Sequence, residues 1–137
     1  MPRKIFVFGT LKRGFALHEQ GLSGAAFLGL YRTRESYPML IAGPWFAPMM
    51  FDEPGTGFRV TGEVYEVDDD ALAKLDRLES AGKPGNLRVA IDVEPLEGGP
   101  VLSAFAYMKT RRLAQPVHSG YLRTYDDSRF IPFDRRR

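Results

Sequence analysis

Cysteine is missing from all 137 residues. Without thiols the chain can form no disulfide, no thiolate nucleophile and no cysteine-ligated metal site. Histidine is scarce as well. His18 and His118 are far apart and lack ligand spacing, so no metal is expected. No apolar run approaches the roughly 18 residues of a membrane span. The stretch after Met1-Pro2-Arg3-Lys4 breaks at Gly9, too early for a secretory signal. A cytoplasmic protein with no membrane partner is therefore expected. The glycine-flanked serine of a hydrolase elbow and the glycine-lysine loop that cradles nucleotide phosphates are both absent. Charge of one sign is not in excess either, with 19 Lys and Arg against 17 Asp and Glu. Much of the small surplus lies at Arg129, Arg135, Arg136 and Arg137. That pattern describes a solvated end, not the basic, aromatic-studded face that nucleic acid needs, and no nucleic-acid partner is expected.

What is present is the balance of an ordinary folded domain, 44% apolar and 26% charged, so the chain can bury a core as one unit spanning 1–137. Lys4-Ile5-Phe6-Val7-Phe8 is short, branched and aromatic and predicts a buried strand ending at Gly9. Strand-like pieces run from about Ala25 to Ala42, and Pro44 to Gly57, rich in proline and glycine, predicts a long irregular loop exposing Trp45 and Phe46. Phe58 to Val67 alternates as a strand does. Asp68-Asp69-Asp70 offers caps for a helix reaching about Glu79 or Ser80. Leu87 to Pro95 and Val101 to Lys109 predict a hairpin around Glu97-Gly98-Gly99. Beyond Thr110 the pattern is mixed, and a mobile tail is expected from about residue 126. Several strands around one clear helix point to an α+β domain with a curled or barrel-like sheet.

That helix carries an acid on its apolar side. Its residues advance by about 100° each, which groups Ala71, Leu72, Leu75 and Leu78 on one arc and puts Glu79 between Leu72 and Leu75. Two readings remain open. Glu79 in a last turn can simply reach solvent or pair with an arginine. Alternatively it points into a pocket, where desolvation raises its pKa and suits it to exchange protons near neutral pH. Asp76 lies at the edge of the arc and is the weaker candidate, while Glu63 and Glu66 are expected on a sheet surface.

Phe8-Gly9-Thr10-Leu11-Lys12-Arg13-Gly14 places one glycine directly after a strand and another at the close of the turn. Glycine leaves amide N–H groups uncovered, and successive bare N–H groups form a nest for an anionic oxygen. Lys12 and Arg13 would add positive potential. Tyr107, on a late strand, either faces a pocket or is core with its hydroxyl satisfied.

The run from Ile5 to Gly14 resembles the VFVYGTLKRG opening of the gamma-glutamylamine cyclotransferase and AIG2-like proteins. Thr61 to Val67 resembles their GEVY strand, Leu75-Asp76-Arg77-Leu78-Glu79 their LDxxE helix end, and Tyr37 to Gly43 their YPLVIAG segment. Together the motifs span about residues 3 to 108. The resemblance implies a gamma-glutamylcyclotransferase-like fold, a small mixed β-barrel with flanking helices. It also implies Glu79 as catalytic acid/base, Phe8, Gly9, Thr10 and Leu11 as substrate-binding residues, no cofactor, and a small gamma-glutamyl substrate cyclised to 5-oxoproline. The family's loop tyrosine is Phe8 here, its asparagine after the loop corresponds to Leu17, and its tyrosine beyond the glutamate has no clear counterpart. Two other readings stand beside this one. The first is a non-catalytic small-molecule binding module on the same fold. The second is an interaction domain that uses the Pro44 to Gly57 loop and lacks an enclosed cavity.

Overall fold

A computed structural model describes residues 2–136. Strand β1 (Arg3–Val7) is followed by a short helix α1 (His18–Leu22), β2 (Ala26–Thr33), β3 (Met39–Ala42), β4 (Ala47–Met50) and β5 (Thr61–Val67). Helix α2 (Asp69–Leu78), β6 (Asn86–Pro95) and β7 (Leu102–Lys109) complete the order, with single 3-10 turns at Arg111–Leu113 and Phe133–Arg135. Five strands close into a barrel in the order β1-β5-β2-β6-β7. Neighbours are antiparallel except at the seam, where β1 meets β7 in parallel through Ile5 and Phe105.

β1 has no polar face because both its sides are covered. Side chains alternate across a strand, so Phe6 enters the barrel interior with Val64, Ile91, Val93 and Ala106. Ile5 and Val7 point outward and pack with Tyr65, Leu72, Leu75 and Leu22 under the two helices. Leu72 and Leu75 of α2 are buried in that layer, as the helical spacing predicts, each contributing about 1.5–3 kcal/mol.

Two expectations are corrected. The segment from Pro44 to Gly57 is not wholly irregular, because Ala47–Met50 pairs antiparallel with Met39–Ala42. Pro48 is tolerated there because this two-stranded sheet leaves it an edge with no donor to supply. Trp45 and Phe46 are half-buried. The Phe46 ring stacks on His118 at 4.0 Å, with the Arg129 guanidinium 4.9 Å away. The chain after Pro116 runs beside this hairpin: His118 N–H donates to Ile41 O, Leu122 N–H to Met39 O and Ile131 N–H to Trp45 O. Helix α1 escapes the sequence because its five residues show no apolar repeat and Leu17 supplies no side-chain cap. Among the described residues no helix is long and apolar enough to cross a membrane.

Where β5 crosses β1 the backbones come close. A Cβ on Gly62 would stand 2.3 Å from Val7 O and 2.8 Å from the Phe6 ring. Gly62→Ala is accordingly expected to destabilise the protein by about 1–3 kcal/mol, read as a lower urea midpoint at unchanged slope.

Candidate functional site

Helix α2 terminates at Glu79. The Asp68 side chain starts the helix by accepting Ala71 N–H at 2.8 Å. At the other end Ser80 N–H donates to Arg77 O at 3.2 Å and Ala81 N–H donates to Asp76 O at 2.8 Å. This double closure is a Schellman ending. Ser80, at φ 56°, takes the left-handed place where glycine is usual. The backbone under Glu79 is therefore pinned, with its own N–H donating to Leu75 O at 2.8 Å. Asp76, the weaker candidate, is tied off: it accepts from Tyr107 Oη at 2.8 Å and from Arg88 Nη1 at 2.5 Å.

Glu79 borders a cavity of about 830 Å³. It is half-buried by surface, and the part that stays open faces this cavity. Protein atoms surround the carboxyl closely, so burial pushes its pKa above the ordinary carboxylate value, while the Lys109 ammonium holds the rise back. Among the described residues no arginine or lysine is within ion-pair distance of it.

The turn after β1 forms another wall of the same cavity, through Phe8, Gly9, Thr10 and Leu11. Three of its carbonyls are taken. Gly9 O accepts Lys12 N–H at 3.0 Å, Thr10 O accepts Leu17 N–H at 2.9 Å, and Leu11 O accepts from His18 Nδ1 at 2.9 Å. The amide N–H groups of Gly9, Thr10 and Leu11 have no acceptor among the described residues. Three successive donors without an acceptor border the cavity, which is what an anion nest requires. Gly9 is glycine for a reason of packing: a Cβ there would come 2.5 Å from Pro48 Cγ. Phe8 supplies no hydroxyl, and its buried ring packs 6.5 Å from that of Phe6.

Lys12 and Arg13 do not lend the cavity their charge. Lys12 Nζ is turned inward to donate to Tyr125 O at 2.8 Å, and the Arg13 guanidinium lies over Phe27 at 3.7 Å. Glu63 is not on a solvated sheet face. It is buried behind the turn, accepting Arg13 N–H at 3.0 Å and Tyr65 Oη at 2.9 Å. Burial, together with that bond, pushes the Tyr65 phenol up to about 12.

Four cations line the cavity: Lys74 and Arg77 of α2, Lys109 on β7 and Arg136 near the C-terminus, with Asp134 as a second carboxylate. Asn86 on β6 and Trp45 in the hairpin turn are neutral lining residues that the sequence did not place there. Lys109 was within reach of pattern reasoning, since it shares a strand face with Tyr107, which also lines the cavity. Both alternatives for Tyr107 hold at once: it borders the cavity and its hydroxyl is satisfied by Asp76.

A family model described as gamma-glutamyl cyclotransferase, AIG2-like, matches residues 5–126. A gamma-glutamylaminecyclotransferase of Bos taurus is 40% identical over 127 residues, covering 89% of this chain and 74% of its own. Its counterpart in Rattus norvegicus is 38% identical over 133 residues, covering 89% and 88%. Among solved structures, the crystal structure of an AIG2-like protein from Mus musculus superposes with a TM-score of 0.86 at 35% identity, covering 98% of this chain and 99% of that one.

The carboxyl of Glu79 should titrate above the ordinary carboxylate range when followed by carbon NMR, and Lys109→Met should move its midpoint to higher pH, because an opposing positive charge is removed. An unmoved midpoint means that the ammonium does not face the carboxyl. A raised folded pKa favours the folded state below the unfolded pKa, and that benefit is lost as pH rises through the folded value. Glu79→Gln should therefore gain stability relative to the wild type as the pH of urea titrations rises from about 4 to 7.

Proposed function

The chain belongs to the gamma-glutamyl cyclotransferase, AIG2-like family, and from that premise we propose that it converts a gamma-glutamyl amine or peptide into 5-oxoproline and the free amine, with Glu79 as general acid/base. The observation that carries this reading is a desolvated carboxyl, without an ion-pair partner among the described residues, sharing one cavity with three amide donors that lack an acceptor there.

The substrate's own α-nitrogen is the nucleophile. It attacks the γ-carbonyl carbon, the new C–N bond closes a five-membered lactam, and the bond to the leaving nitrogen breaks. The α-nitrogen enters as an ammonium and keeps one proton in the lactam, so it gives up two, and the leaving nitrogen takes up two as it departs as an ammonium. Glu79, ionised at the start, accepts a proton from the α-ammonium and returns it to the leaving nitrogen. Burial suits it to both halves, since a carboxyl with a raised pKa gives and takes protons closer to neutral pH. The amides of Gly9, Thr10 and Leu11 hold the substrate carboxylate or the oxyanion that develops on the γ-carbonyl oxygen. Holding the flexible glutamyl chain in its folded form provides much of the remaining rate. The reaction needs no second nucleophile and no cofactor, which accords with a chain without cysteine. A reducing, cytoplasmic setting fits the same composition.

Incubation with gamma-glutamyl-lysine and with gamma-glutamyl dipeptides, followed by chromatography for 5-oxoproline, tests the activity; folded protein that yields none from any of them removes it. Glu79→Gln should remain folded and lose about 10²- to 10⁴-fold in kcat. In the wild type kcat/KM should fall at acid pH as Glu79 protonates, with the inflection above the ordinary carboxylate range.

A further inference from the structure

The end of α2 is fastened to the barrel by one carboxylate that serves two strands at once. Asp76 Oδ1 accepts from Tyr107 Oη of β7 at 2.8 Å, and its Oδ2 accepts from Arg88 Nη1 of β6 at 2.5 Å. Tyr107 and Arg88 are partners across the β6–β7 ladder. Directly opposed residues present their side chains on one face, so two donors stand side by side and the carboxylate bridges them. Each contact has a second support. The Tyr107 ring is buried in the cluster of Leu72 and Leu75, and the Arg88 guanidinium lies 4.7 Å over Phe105. The main chain of Asp76 is engaged as well, since its carbonyl accepts Ala81 N–H at 2.8 Å in the helix closure.

The next pair along the same face of the ladder is Asn86 and Lys109, joined through Lys109 Nζ and Asn86 Oδ1. Both border the cavity, as does Glu79. On the helix, Glu79 lies nearly one turn beyond Asp76, a rise of about 4.5 Å. On β7, Lys109 lies one side-chain repeat beyond Tyr107, about 6.8 Å along the strand. Helix and ladder thus advance in step, and seating Asp76 on one cross-strand pair brings Glu79 to the next. The leucines cannot fix this register. Apolar burial is non-directional, so Leu72 and Leu75 hold the helix down without setting where along the sheet it rests. Hydrogen bonds depend on distance and angle, and the two at Asp76 do set it.

We propose that Asp76 is a positioning residue for Glu79: clipped by Tyr107 and Arg88, it sets the register of the helix end so that the carboxyl faces the cavity beside Asn86 and Lys109. Its role in turnover rests on the cyclotransferase reading, whereas its seating of the carboxyl can be measured without any substrate. Arg88 does not border the cavity, so its loss reaches Glu79 through Asp76 and not through a ligand. Lys74, Arg77, Lys109, Arg136 and Asp134, the other charged residues that border it, stay in place throughout.

The test follows the Glu79 carboxyl by carbon NMR, together with kcat and KM, in the wild type, Asp76→Ala and Arg88→Met. Released from the clip, the last turn frays and the carboxyl meets water, so its midpoint should fall toward the ordinary carboxylate value in both variants. Charge alone predicts otherwise, because removing the Arg88 cation raises a neighbouring carboxyl's midpoint and removing the Asp76 anion lowers it. A fall in both is the mark of lost position. On a gamma-glutamyl substrate, kcat should drop by about 10- to 100-fold, the cost of a small misplacement. KM should change by less than about threefold, since the amide turn is held separately, by Glu63 and Lys12. Should Asp76→Ala fail to fold, Tyr107→Phe, which keeps the buried ring and every charge, takes its place with the same expected fall. Midpoints that stay put, or that move in opposite directions, overturn the proposal even where the urea midpoint has dropped, since a merely structural tie costs stability and leaves the folded carboxyl where it was. An unchanged kcat beside a lowered midpoint overturns the role in turnover. If the wild type turns over no gamma-glutamyl compound, the cyclotransferase reading fails, and the two NMR midpoints still decide whether Asp76 seats Glu79.

Discussion

A carboxyl group loses its hydration when protein closes around it, and the fold tolerates that loss at Glu79 because the helix end beneath it cannot move away. The Schellman closure through Ser80 and Ala81 pins the backbone, and the layer of Leu72 and Leu75 under β1 pins the helix. A frayed last turn would let the side chain swing to water and recover an ordinary acidity. The left-handed serine is a cost accepted at that spot, since an L-residue there is strained by about 1–2 kcal/mol. Rigidity of the terminus and desolvation of the acid are thus one arrangement.

The opposing wall depends on the same strand. β1 delivers the turn Phe8 to Leu11 to the rim of the barrel, and the carbonyls of Gly9, Thr10 and Leu11 are satisfied while their amides find no acceptor among the described residues. Glu63 holds the turn from behind through Arg13 N–H, and Lys12 anchors it to the carbonyl of Tyr125. Lys12, which looks from the sequence like a ligand-binding group, therefore serves as a strut. The loop keeps its donors free because its neighbours carry the structural bonds.

Legibility from the sequence follows the range of the interactions concerned. β1, β5, α2, β6 and β7 each carry a local pattern: two buried faces at Ile5 to Val7, alternation before Val67, an aspartate cap and leucine arc, and a glycine-centred hairpin. Glu79 was legible for the same reason, being an acid at helical spacing among leucines. β4 was hidden because Pro48 argues against a strand, and only its pairing partner at Ile41 shows that the missing donor is not needed. Helix α1 is too short to show a period. Lys109 and Arg136 lie far from Glu79 in sequence, and their meeting depends on barrel closure and on the course of the chain after Pro116. No window of sequence contains that information. The family motifs spoke for the fold and for Glu79, and were silent on both cations.

The seam between β1 and β7 carries a kinetic implication. The first strand of the chain must find β5 and then β7, partners distant in sequence, so closing the barrel orders long intervening segments before the contacts repay it. The amide turn hangs from the end of β1, and Lys109 is the last residue of β7. The turn cannot face the carboxyl until the seam has formed, whereas Lys109 is brought toward the helix end by the β6–β7 hairpin and the Tyr107–Asp76 bond. A chain that has built α2 and the β6–β7 hairpin would already look structured to circular dichroism while its cavity did not yet exist, so competence to bind arrives with the slowest step of assembly.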